Sequence, residues 1–309
     1  MEALRIEGLS KRFGGNQVLD SISFSVPTGS VYGFVGANGA GKTTTMKIVL
    51  GLMRSDAGEI YVMDEKATFG PTPTNRFVGY LNDVPEFYNY LRPTEYLRLC
   101  GEIVDMDKGD IKRRSAELLD LVGLTQADKR IGDFSRGMRQ RLGMAAALYA
   151  RPNLLICDEP TSALDPFGRK EILNILREIR GETTVIFSTH ILSDVERICD
   201  YMCVLHKGDI VLKGTIDELK DSHKSDSLRV DFNSAEELSQ LQAALPEALT
   251  QAAEAASDVE LLIHVSDVPA AQRELMDTLL RLDIMPLRFE ILEPTLENLY
   301  LATTGKDAQ

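Results

Sequence analysis

The sequence predicts an α/β fold with a parallel sheet, and three short apolar runs carry that prediction. They lie in SVYGFV (30–35), PNLLICDEP (152–160) and TTVIFSTH (183–190). Continuous apolar runs of this length are typical of strands that are buried on both faces. The runs are followed by glycines, by acids or by a histidine, and the carboxyl ends of parallel strands are where α/β sheets bind ligands.

Composition narrows the class of protein. The 309 residues are 44% hydrophobic and 26% charged, as in an ordinary soluble protein with room for one large and one small domain. No uncharged apolar run approaches the ~18–20 residues that cross a bilayer. The charged start, MEALRIEGLSKRF, lacks the apolar core of a signal peptide. We therefore expect a cytoplasmic protein, free or bound peripherally to the cytoplasmic face of the cell membrane.

The distribution of charge argues against a nucleic-acid-binding protein, and the cysteines argue against a metal site. The formal net charge is −13, and the stretch from Lys224 on has 6 Lys and Arg against 16 Asp and Glu. Such a tail is repelled by phosphate backbones, so nucleic acid is not an expected partner. The four cysteines stand among mostly apolar neighbours, which indicates reduced core thiols. The spacing of Cys199 and Cys203 would suit a metal, but no further Cys/His pair accompanies them.

After the first strand comes GANGAGKT (36–43), which fits G-x-x-x-x-G-K-[ST] at every fixed position. Backbone N–H groups can converge on phosphate oxygens only where side chains do not obstruct them, and the following helix adds its positive dipole end. We expect Lys42 to reach the β- and γ-phosphates and Thr43 to ligate Mg²⁺. A glycine-rich turn before a core helix is the alternative. The predicted nucleotide contacts are Gly36, Ala37, Asn38, Gly39, Ala40, Gly41, Lys42, Thr43 and Thr44.

The run PNLLICDEP ends in two acids and a proline. Asp158 is suited to hold Mg²⁺, directly or through water, and Glu159 is suited to orient or deprotonate the attacking water. Alternation along a strand would place Glu159 on the opposite side from Asp158. Two acids that only cap a strand end are the alternative, which the phosphate loop upstream disfavours.

A second anion site is predicted in DFSRGMRQRLGMAAALYA (133–150). Ser135 can cap a helix there, and Gly137 keeps the start of that helix open, which indicates anion binding at its N-terminus. Because the chain already has one phosphate loop, this second site requires a second phosphate or the nucleotide of a partner.

The order of these parts resembles the ATP-binding subunit of ABC transporters. GANGAGKTT resembles the Walker A loop of that family, LLICDEP its Walker B strand, FSRGMRQR its signature loop and SALDP (162–166) its D-loop. His190, at the end of TTVIFSTH, resembles the switch histidine, and Phe13 stands where an aromatic residue stacks on adenine. The resemblance covers residues 2 to about 220, with the motifs in the family's order.

The resemblance implies a P-loop NTPase that binds ATP and Mg²⁺ and hydrolyses ATP between two subunits. Each ATP would lie between the phosphate loop of one subunit and Ser135 and Gly137 of the other. The pair would be a two-fold dimer of identical or paralogous ATPases. Glu159 would act as the base, His190 would contact the γ-phosphate, and Asp165 would link the two sites.

Two positions depart from the family's pattern. The signature loop usually reads L-S-G-G-Q, whereas this chain has FSRGM (134–138). Its arginine and methionine resemble a branch that includes antibiotic-resistance and sodium-export ATPases. In VGYLNDVPEFYNY (78–90), Asp83 takes the place of the usual glutamine. We expect Asp83 to approach Mg²⁺ through water, with a shorter reach than glutamine; a plain surface turn is the alternative.

The resemblance divides the chain into an ATP-binding domain (1–220) and a C-terminal accessory domain (223–309). The first would combine an antiparallel β subdomain with a helical insert over about 92–140. In its first helix, we predict one apolar face formed by Tyr96, Leu99, Cys100 and Ile103. Phe87, Tyr88 and Tyr90 in PEFYNYL (85–91) would receive the membrane-spanning partner; rings that pack inward are the alternative.

The C-terminal part is predicted to be a small α+β domain. SLRVDF (227–232), VELLIHV (259–265) and MPLRFEIL (285–292) are predicted strands, with helices near 235–245 and 270–282. This alternation favours a split β-α-β fold with a possible extra strand. GTIDELK and PTLENLYLATTG resemble the C-terminal extension of the exporter branch. We expect a role in dimerisation or regulation.

The function expected from these features is that of an ATP-hydrolysing subunit of an ABC transporter. Analogy with the branch makes it an exporter, energising a membrane permease on a separate chain. A soluble ABC ATPase that serves a non-transport assembly machine is the alternative. A module that binds ATP without hydrolysing it is disfavoured by the presence of Glu159 and His190.

Overall fold

The computed structural model describes residues 1–222, 226–265, 267–292 and 295–305. Its contacts separate two compact units. The first comprises Met1–Ile216 and the described residues from Tyr300 on, and the second comprises Asp217–Leu299. Within the described ranges, none of the helices has both the length and the apolar composition that a bilayer span requires.

The first unit alternates strands and helices after an initial pair of long strands. Its elements are, in chain order, β1 (Glu2–Phe13), β2 (Asn16–Pro27), β3 (Val31–Val35), α1 (Lys42–Val49), β4 (Ala57–Val62), β5 (Glu65–Lys66), β6 (Val78–Leu81), α2 (Pro93–Ile103), α3 (Lys108–Leu121), α4 (Arg136–Ala147), β7 (Leu154–Asp158), α5 (Pro166–Glu178), β8 (Thr184–Thr189), α6 (Leu192–Ile198), β9 (Tyr201–His206) and β10 (Asp209–Thr215). Helix α7 (Ile216–Ser222) follows, and all of it but Ile216 belongs to the second unit.

A six-stranded sheet forms the centre of this unit, in the order β10-β9-β3-β8-β7-β6. Five of its strands are parallel, and β10 pairs antiparallel with β9 at one edge. Strands β3, β7 and β8 are buried at every position, as their continuous apolar sequences predict. The predicted α/β class is confirmed. Because these three strands are neighbours, the segments that follow them meet at one edge of the sheet.

The antiparallel β subdomain is a four-stranded sheet in the order β2-β1-β4-β5. Its buried side chains, such as Leu4 and Phe24, share one core cluster with Phe34 of β3 and Met46 of α1. The ring centroids of Phe24 and Phe34 lie 5.2 Å apart in a stacked arrangement. Apolar burial therefore joins this sheet to α1 and to the central sheet, and holds both ends of the phosphate loop.

Helices α2 and α3 form the helical insert, but the buried face of α2 differs from the prediction. The structure buries Pro93, Leu97 and Gly101, a row with a spacing of four residues, whereas Ile103 is 72% exposed. A Cβ on Gly101 would lie 2.6 Å from Ile111 of α3, so the two helices approach most closely there. The predicted face was wrong because the small residue, rather than the larger apolar ones, decides where α3 packs.

The second unit is a small α+β fold. After α7, its elements are β11 (Asp226–Asp231), α8 (Ala235–Ala244), α9 (Glu247–Ala252), β12 (Ala253–Ser257), β13 (Glu260–Val265), α10 (Val268–Arg281) and β14 (Arg288–Leu292). Helix α11 (Leu296–Thr304) begins in this unit, and its residues from Tyr300 on belong to the first. The antiparallel sheet has the order β12-β13-β11-β14, which is that of the split β-α-β, ferredoxin-like fold. The three predicted strands are present, and β12 is the extra one.

Candidate active site

The phosphate loop connects β3 to α1, and glycines shape both of its ends. A Cβ on Gly36 would lie 2.6 Å from the carbonyl oxygen of Leu205, because the loop passes directly against β9. Gly41, the residue before α1, has a φ of 111°, and a Cβ there would lie 2.7 Å from Leu19. Residues 37–39, between these two points, are exposed. The loop is therefore open to solvent at the N-terminus of α1, where an anion binds.

Lys42 is the first residue of α1, and its side chain turns back into the loop. It is only 5% exposed, and its Nζ donates hydrogen bonds to the carbonyl oxygens of Gly36 and Ala37 at 2.6 and 3.2 Å. The same Nζ lies 3.0 Å from Oε1 of Glu159. Three oxygen neighbours compensate the burial of the ammonium group, which is thereby held at the N-terminus of α1.

The two predicted carboxylates at the end of β7, those of Asp158 and Glu159, differ in the backbone conformation that positions them. Asp158 is the last strand residue, and its Oδ1 accepts a hydrogen bond from Oγ of Ser188 at 2.5 Å. Glu159 does not continue the strand, as the alternation argument assumed, since its φ is 48°. This left-handed conformation costs a non-glycine residue about 1–2 kcal/mol. The Glu159 N–H donates to both oxygens of Ser188, each at 3.1 Å, and these bonds help to hold the conformation.

His190 follows β8, the strand beside β7, and lies in one row with Glu159 and Lys42. Its Nδ1 lies 3.0 Å from Oε2 of Glu159, while Oε1 of the same carboxylate faces Lys42. The carboxylate is therefore held from two sides. A carboxylate held in this way next to the phosphate loop can accept a proton from a water molecule there.

A cleft of about 390 Å³ lies beside Lys42 and Glu159, and His190 is not among the residues that line it. Lys42 and Thr43 line it from the phosphate loop, Asp158 and Glu159 from the end of β7, and Asp83 from the segment after β6. The structure brings nine of the predicted site residues to this cleft from three separate parts of the chain: Asn38, Gly39, Gly41, Lys42, Thr43, Thr44, Asp83, Asp158 and Glu159.

Asp83 lies in the wall of this cleft and close to the signature loop. Nη2 of Arg136 is 3.8 Å from Oδ1 of Asp83, which is too long for a hydrogen bond. That Oδ1 is buried and has no hydrogen-bond partner in the described part of the chain. Burial raises the pKa of Asp83, and Asp158 and Glu159 act in the same direction while Arg136 opposes them. Two positions that depart from the usual family motifs therefore lie beside each other.

The predicted residues Ser135 and Gly137 lie at the start of α4 and outside this cleft. Ser135 is exposed, and its Oγ accepts a hydrogen bond from the N–H of Met138 at 3.2 Å, as predicted for a helix cap. A Cβ added to Gly137 would meet nothing within 4 Å in the described part of the chain, so the helix start is open around it. Ser135 and Gly137 do not line the chain's own cleft, although Arg136 between them approaches Asp83 in its wall, and this N-terminus is accessible to another molecule.

Asp165 and Phe13 also lie outside the cleft. Asp165 caps α5, and its Oδ1 accepts a hydrogen bond from the N–H of Gly168 at 3.2 Å. Phe13, at the end of β1, is 48% exposed, and the Lys11 ammonium lies 5.4 Å from its ring centroid. An exposed ring with a cation beside it has a free face on which another flat ring can stack.

Sequence reasoning missed two residues of the site. Ser188 binds both Asp158 and the backbone of Glu159, and Ser162 lines the cleft. A signal for Ser188 exists, because it lies two residues before His190 and parallel pairing places it beside Asp158. Ser162 is the first residue of SALDP, the segment that resembles the D-loop, so a signal for it also exists, although only Asp165 of that segment is predicted to belong to the site.

The oxygen atoms of the cleft suit a magnesium ion that is bound together with phosphates. Thr43, Asp83 and Asp158 offer hydroxyl and carboxylate oxygens, which Mg²⁺ prefers, and one oxygen of Asp83 lacks a hydrogen-bond partner among the described residues. No group of three His, Cys, Asp or Glu side chains within the described ranges could hold a metal by itself. An ion here would need phosphate oxygens to complete its coordination.

A glycine loop between a buried parallel strand and a helix, facing acids at the end of a neighbouring strand, defines a P-loop NTPase. Comparison with known proteins narrows this class. A family model described as "ABC transporter" matches residues 19–162. A second, described as "ATP-binding protein DrrA1-3-like, C-terminal domain", matches residues 214–304.

Relatives match over nearly the whole chain. The uncharacterized ABC transporter ATP-binding protein YxlF of Bacillus subtilis (strain 168) is 35% identical over 96% of this chain and 98% of its own length. The daunorubicin/doxorubicin resistance ATP-binding protein DrrA of Streptomyces peucetius is 32% identical over 99% of this chain and 93% of its own. A solved ATP-binding subunit of an ABC transporter is 32% identical, with a TM-score of 0.63, over 71% of this chain and 92% of its own. The chain belongs to the family of ABC transporter ATP-binding proteins.

Membership in this family confirms the main part of the predicted function. The chain is an ATP-binding subunit of an ABC transporter, and ATP hydrolysis is its characteristic activity. Subunits of this kind work with separate membrane permeases. The alternative, a soluble ATPase of an assembly machine, is not favoured.

Proposed function

We propose that this chain binds Mg–ATP in the cleft, hydrolyses it as one half of a two-fold dimer, and drives export through a permease at the cytoplasmic face of the cell membrane. The contact of Glu159 with both Lys42 and His190 carries the proposal. Lys42, the proposed phosphate-binding cation, and His190, the proposed γ-phosphate contact, each lie 3.0 Å from the carboxylate of Glu159, the proposed base.

Competition for Lys42 links binding to catalysis in this proposal. The phosphate oxygens of ATP compete with Glu159 for the Lys42 ammonium, and the carboxylate turns towards the attacking water. Glu159 accepts the proton of that water as the new bond to the γ-phosphorus forms and ADP leaves, while His190 donates a hydrogen bond to a γ-phosphate oxygen. Thr43 and Asp158 would hold Mg²⁺ directly and Asp83 through water; the ion, when bound, neutralises phosphate charge.

Exposure of the remaining site residues supports the dimer. Ser135 and Gly137 present an open helix N-terminus that the chain's own cleft does not use. In a two-fold pair, this N-terminus would cover the nucleotide of the partner, and Asp165 would lie between the two sites. The partner is a second copy or a paralogous ATPase.

Export and membrane association rest on the relatives and on one exposed surface. A relative that matches along nearly its whole length is named for drug resistance, which favours outward transport by this chain. Tyr88 and Tyr90 are 55% and 67% exposed in the segment before the helical insert. Exposed aromatic side chains are frequent anchors at protein interfaces, which makes this segment a suitable contact for the permease.

Replacing the base tests the site and the dimer together. We expect Glu159→Gln to bind ATP, to hydrolyse it at least about 100-fold more slowly, since a general base contributes that much, and to accumulate as a dimer with ATP. Phosphate release and size-exclusion chromatography with light scattering measure the two effects. Lys42→Ala is the matched control, because it removes the phosphate contact and should abolish ATP binding itself.

Two outcomes would contradict parts of this proposal. Hydrolysis by Glu159→Gln at the parent rate would remove Glu159 from the role of base. A monomer at saturating ATP would exclude the homodimer and require a paralogous partner.

A tagged pull-down from detergent-solubilised membranes, run beside the soluble fraction, tests the transport part. We expect a protein with several membrane spans at a stoichiometry comparable to that of the chain. Recovery of soluble partners alone would refute the assignment to a permease and leave the ATPase chemistry intact.

A further inference from the structure

Strand β14 is an edge strand of the second unit. It pairs with β11 on one side, from Arg288 to Leu292, and no other described strand pairs with its second side. Its backbone N–H and C=O groups on that side are free to pair with another strand. Leu287, directly before the strand, and Ile291, its last residue but one, are 68% and 45% exposed, although both are large and apolar. An exposed apolar edge strand is a pairing surface unless something covers it.

The sequence of this edge is complementary to itself. Residues 287–291 read LRFEI, with one aromatic residue at the centre, opposite charges on either side and aliphatic residues outside them. Two copies that pair antiparallel about Phe289 place Arg288 of each opposite Glu290 of the other, and Leu287 opposite Ile291. Cross-strand pairs of opposite charge and of apolar side chains are the contacts that stabilise antiparallel sheets.

Neighbouring registers lack this complementarity. Centring the pair on Arg288 puts two arginines opposite each other, and centring it on Glu290 puts two glutamates opposite each other. Like charges in directly opposed positions are destabilising. In a register shifted by one residue, Leu287 would no longer lie opposite Ile291 of the copy, nor Phe289 opposite Phe289.

Arg288 and Glu290 make only a long ion pair with each other within one chain. Arg288 approaches Glu290 of its own strand and Asp231 of β11, at 3.6 and 3.7 Å, which are ion-pair distances beyond hydrogen-bond length. The side chains of Arg288 and Glu290 are about half exposed. Both groups therefore keep hydrogen-bonding capacity for a partner strand on the open side.

We propose that a second copy of this chain binds at β14, so that the two four-stranded sheets join antiparallel, about Phe289, into one eight-stranded sheet. This interface is independent of nucleotide and goes beyond the ATP-dependent pairing proposed above. Both pairings are two-fold symmetric. The C-terminal contact would keep the subunits together through the part of the cycle in which no ATP lies between them.

Charge reversal tests the interface in the full chain without nucleotide. We expect a concentration-dependent dimer by sedimentation equilibrium. Arg288→Glu and Glu290→Arg each place like charges opposite one another at two symmetric positions, and each should weaken the dimer about tenfold or more. The double variant, Arg288→Glu with Glu290→Arg, restores opposite charges and should recover the affinity. Glu254→Arg, on the other edge strand β12, is the matched control and should leave the affinity unchanged.

A cross-link tests the register. Phe289 lies on the proposed two-fold axis, so Phe289→Cys should form a disulfide with its own copy on mild oxidation, while the parent chain, with its four buried or half-buried cysteines, should not. A parent chain that stays monomeric without nucleotide, or a dimer in which the double variant is no better than the single ones, would overturn the proposal. Repeating the measurement with Lys42→Ala separates it from the proposed ATP chemistry, because this interface should survive that substitution.

Discussion

At the scale of single residues, Glu159, the proposed base, shows how neighbouring strands set the geometry of a site residue. Its left-handed backbone would be unfavourable in isolation, and two hydrogen bonds from its N–H to Ser188 hold it. The side chain then meets Lys42 and His190, which come from different segments. The motif CDEP identifies the acid, but the position of its carboxylate depends on β8.

The two residues that depart from the family's motifs, Asp83 and Arg136, are also understood at the scale of single residues. A shorter acid in place of glutamine leaves room beside the cleft, and the arginine of the signature loop brings a positive charge within 3.8 Å of it. Each residue alone is an exception to a motif. Together they are a carboxyl group and a guanidinium group at ion-pair distance. The positive charge offsets part of the electrostatic cost of placing the carboxyl groups of Asp83, Asp158 and Glu159 around one cleft.

The buried thiols lead to a prediction for alkaline pH. Burial raises the pKa of Cys203 to about 12 and that of Cys100 to about 11, from a usual value near 9. Above pH 9, the unfolded chain loses these protons while the folded chain keeps them, so the free energy of unfolding falls as pH rises. We expect each such thiol to contribute a slope of up to about 1.4 kcal/mol per pH unit until its folded pKa is reached.

Urea denaturation between pH 8 and 11 measures this slope. Cys203→Ala should be less stable at pH 8, because a buried side chain is lost, yet its stability should decline less steeply above pH 9. Equal slopes for the two proteins would contradict the assignment of a raised pKa to Cys203.

At the scale of elements, α2 shows the limit of helical periodicity. An apolar pattern allows more than one face, and the face that is buried depends on which residues let α3 approach. Gly101 does so, because no side chain separates its backbone from Ile111 and Tyr149. The row of Leu97 and Gly101 is therefore buried, whereas the sequence favours the larger residues one position away.

The buried carboxylate of Asp194 connects α6, α5 and the turn after β7 beside the site. Asp194 of α6 is 1% exposed and accepts hydrogen bonds from Thr161, in the turn after β7, at 2.8 Å and from Arg169 of α5 at 2.6 Å. We expect Asp194→Ala to lower the free energy of unfolding by about 2–3 kcal/mol, because two buried or half-buried donors lose a charged acceptor.

Chemical denaturation measures this loss, with Glu178→Ala as the matched control. Glu178 is an exposed acid on α5, and its substitution should change the free energy of unfolding by no more than about 0.5 kcal/mol. A similarly small effect for Asp194→Ala would show that the turn and the two helices are held by other contacts.

At the scale of the whole molecule, two kinds of sheet serve two kinds of task. The parallel sheet of the first unit is buried and collects the ends of β3, β7 and β8 at one edge, which is why residues more than a hundred positions apart share one cleft. The antiparallel sheet of the second unit has open edges and a charged face with Arg229, Asp231 and Glu260 in ion pairs. Such a sheet suits contacts with other chains.

The sequence alone determined the α/β class, the phosphate loop, the capped start of α4 and the identity of the acids and the histidine. These depend on local patterns: apolar runs, glycines before a helix, and a serine at a cap. Because each works within a few residues, a single sequence displays it in full.

Only the tertiary structure decided which face of α2 is buried, that Glu159 leaves its strand in a left-handed conformation, that Ser188 supports both acids, and that Asp83 lies beside Arg136. It also showed that β14 is an edge. Each of these depends on which distant segments become neighbours, and that is settled by packing of the whole core, since no local pattern records the partner of a strand or the depth of a helix.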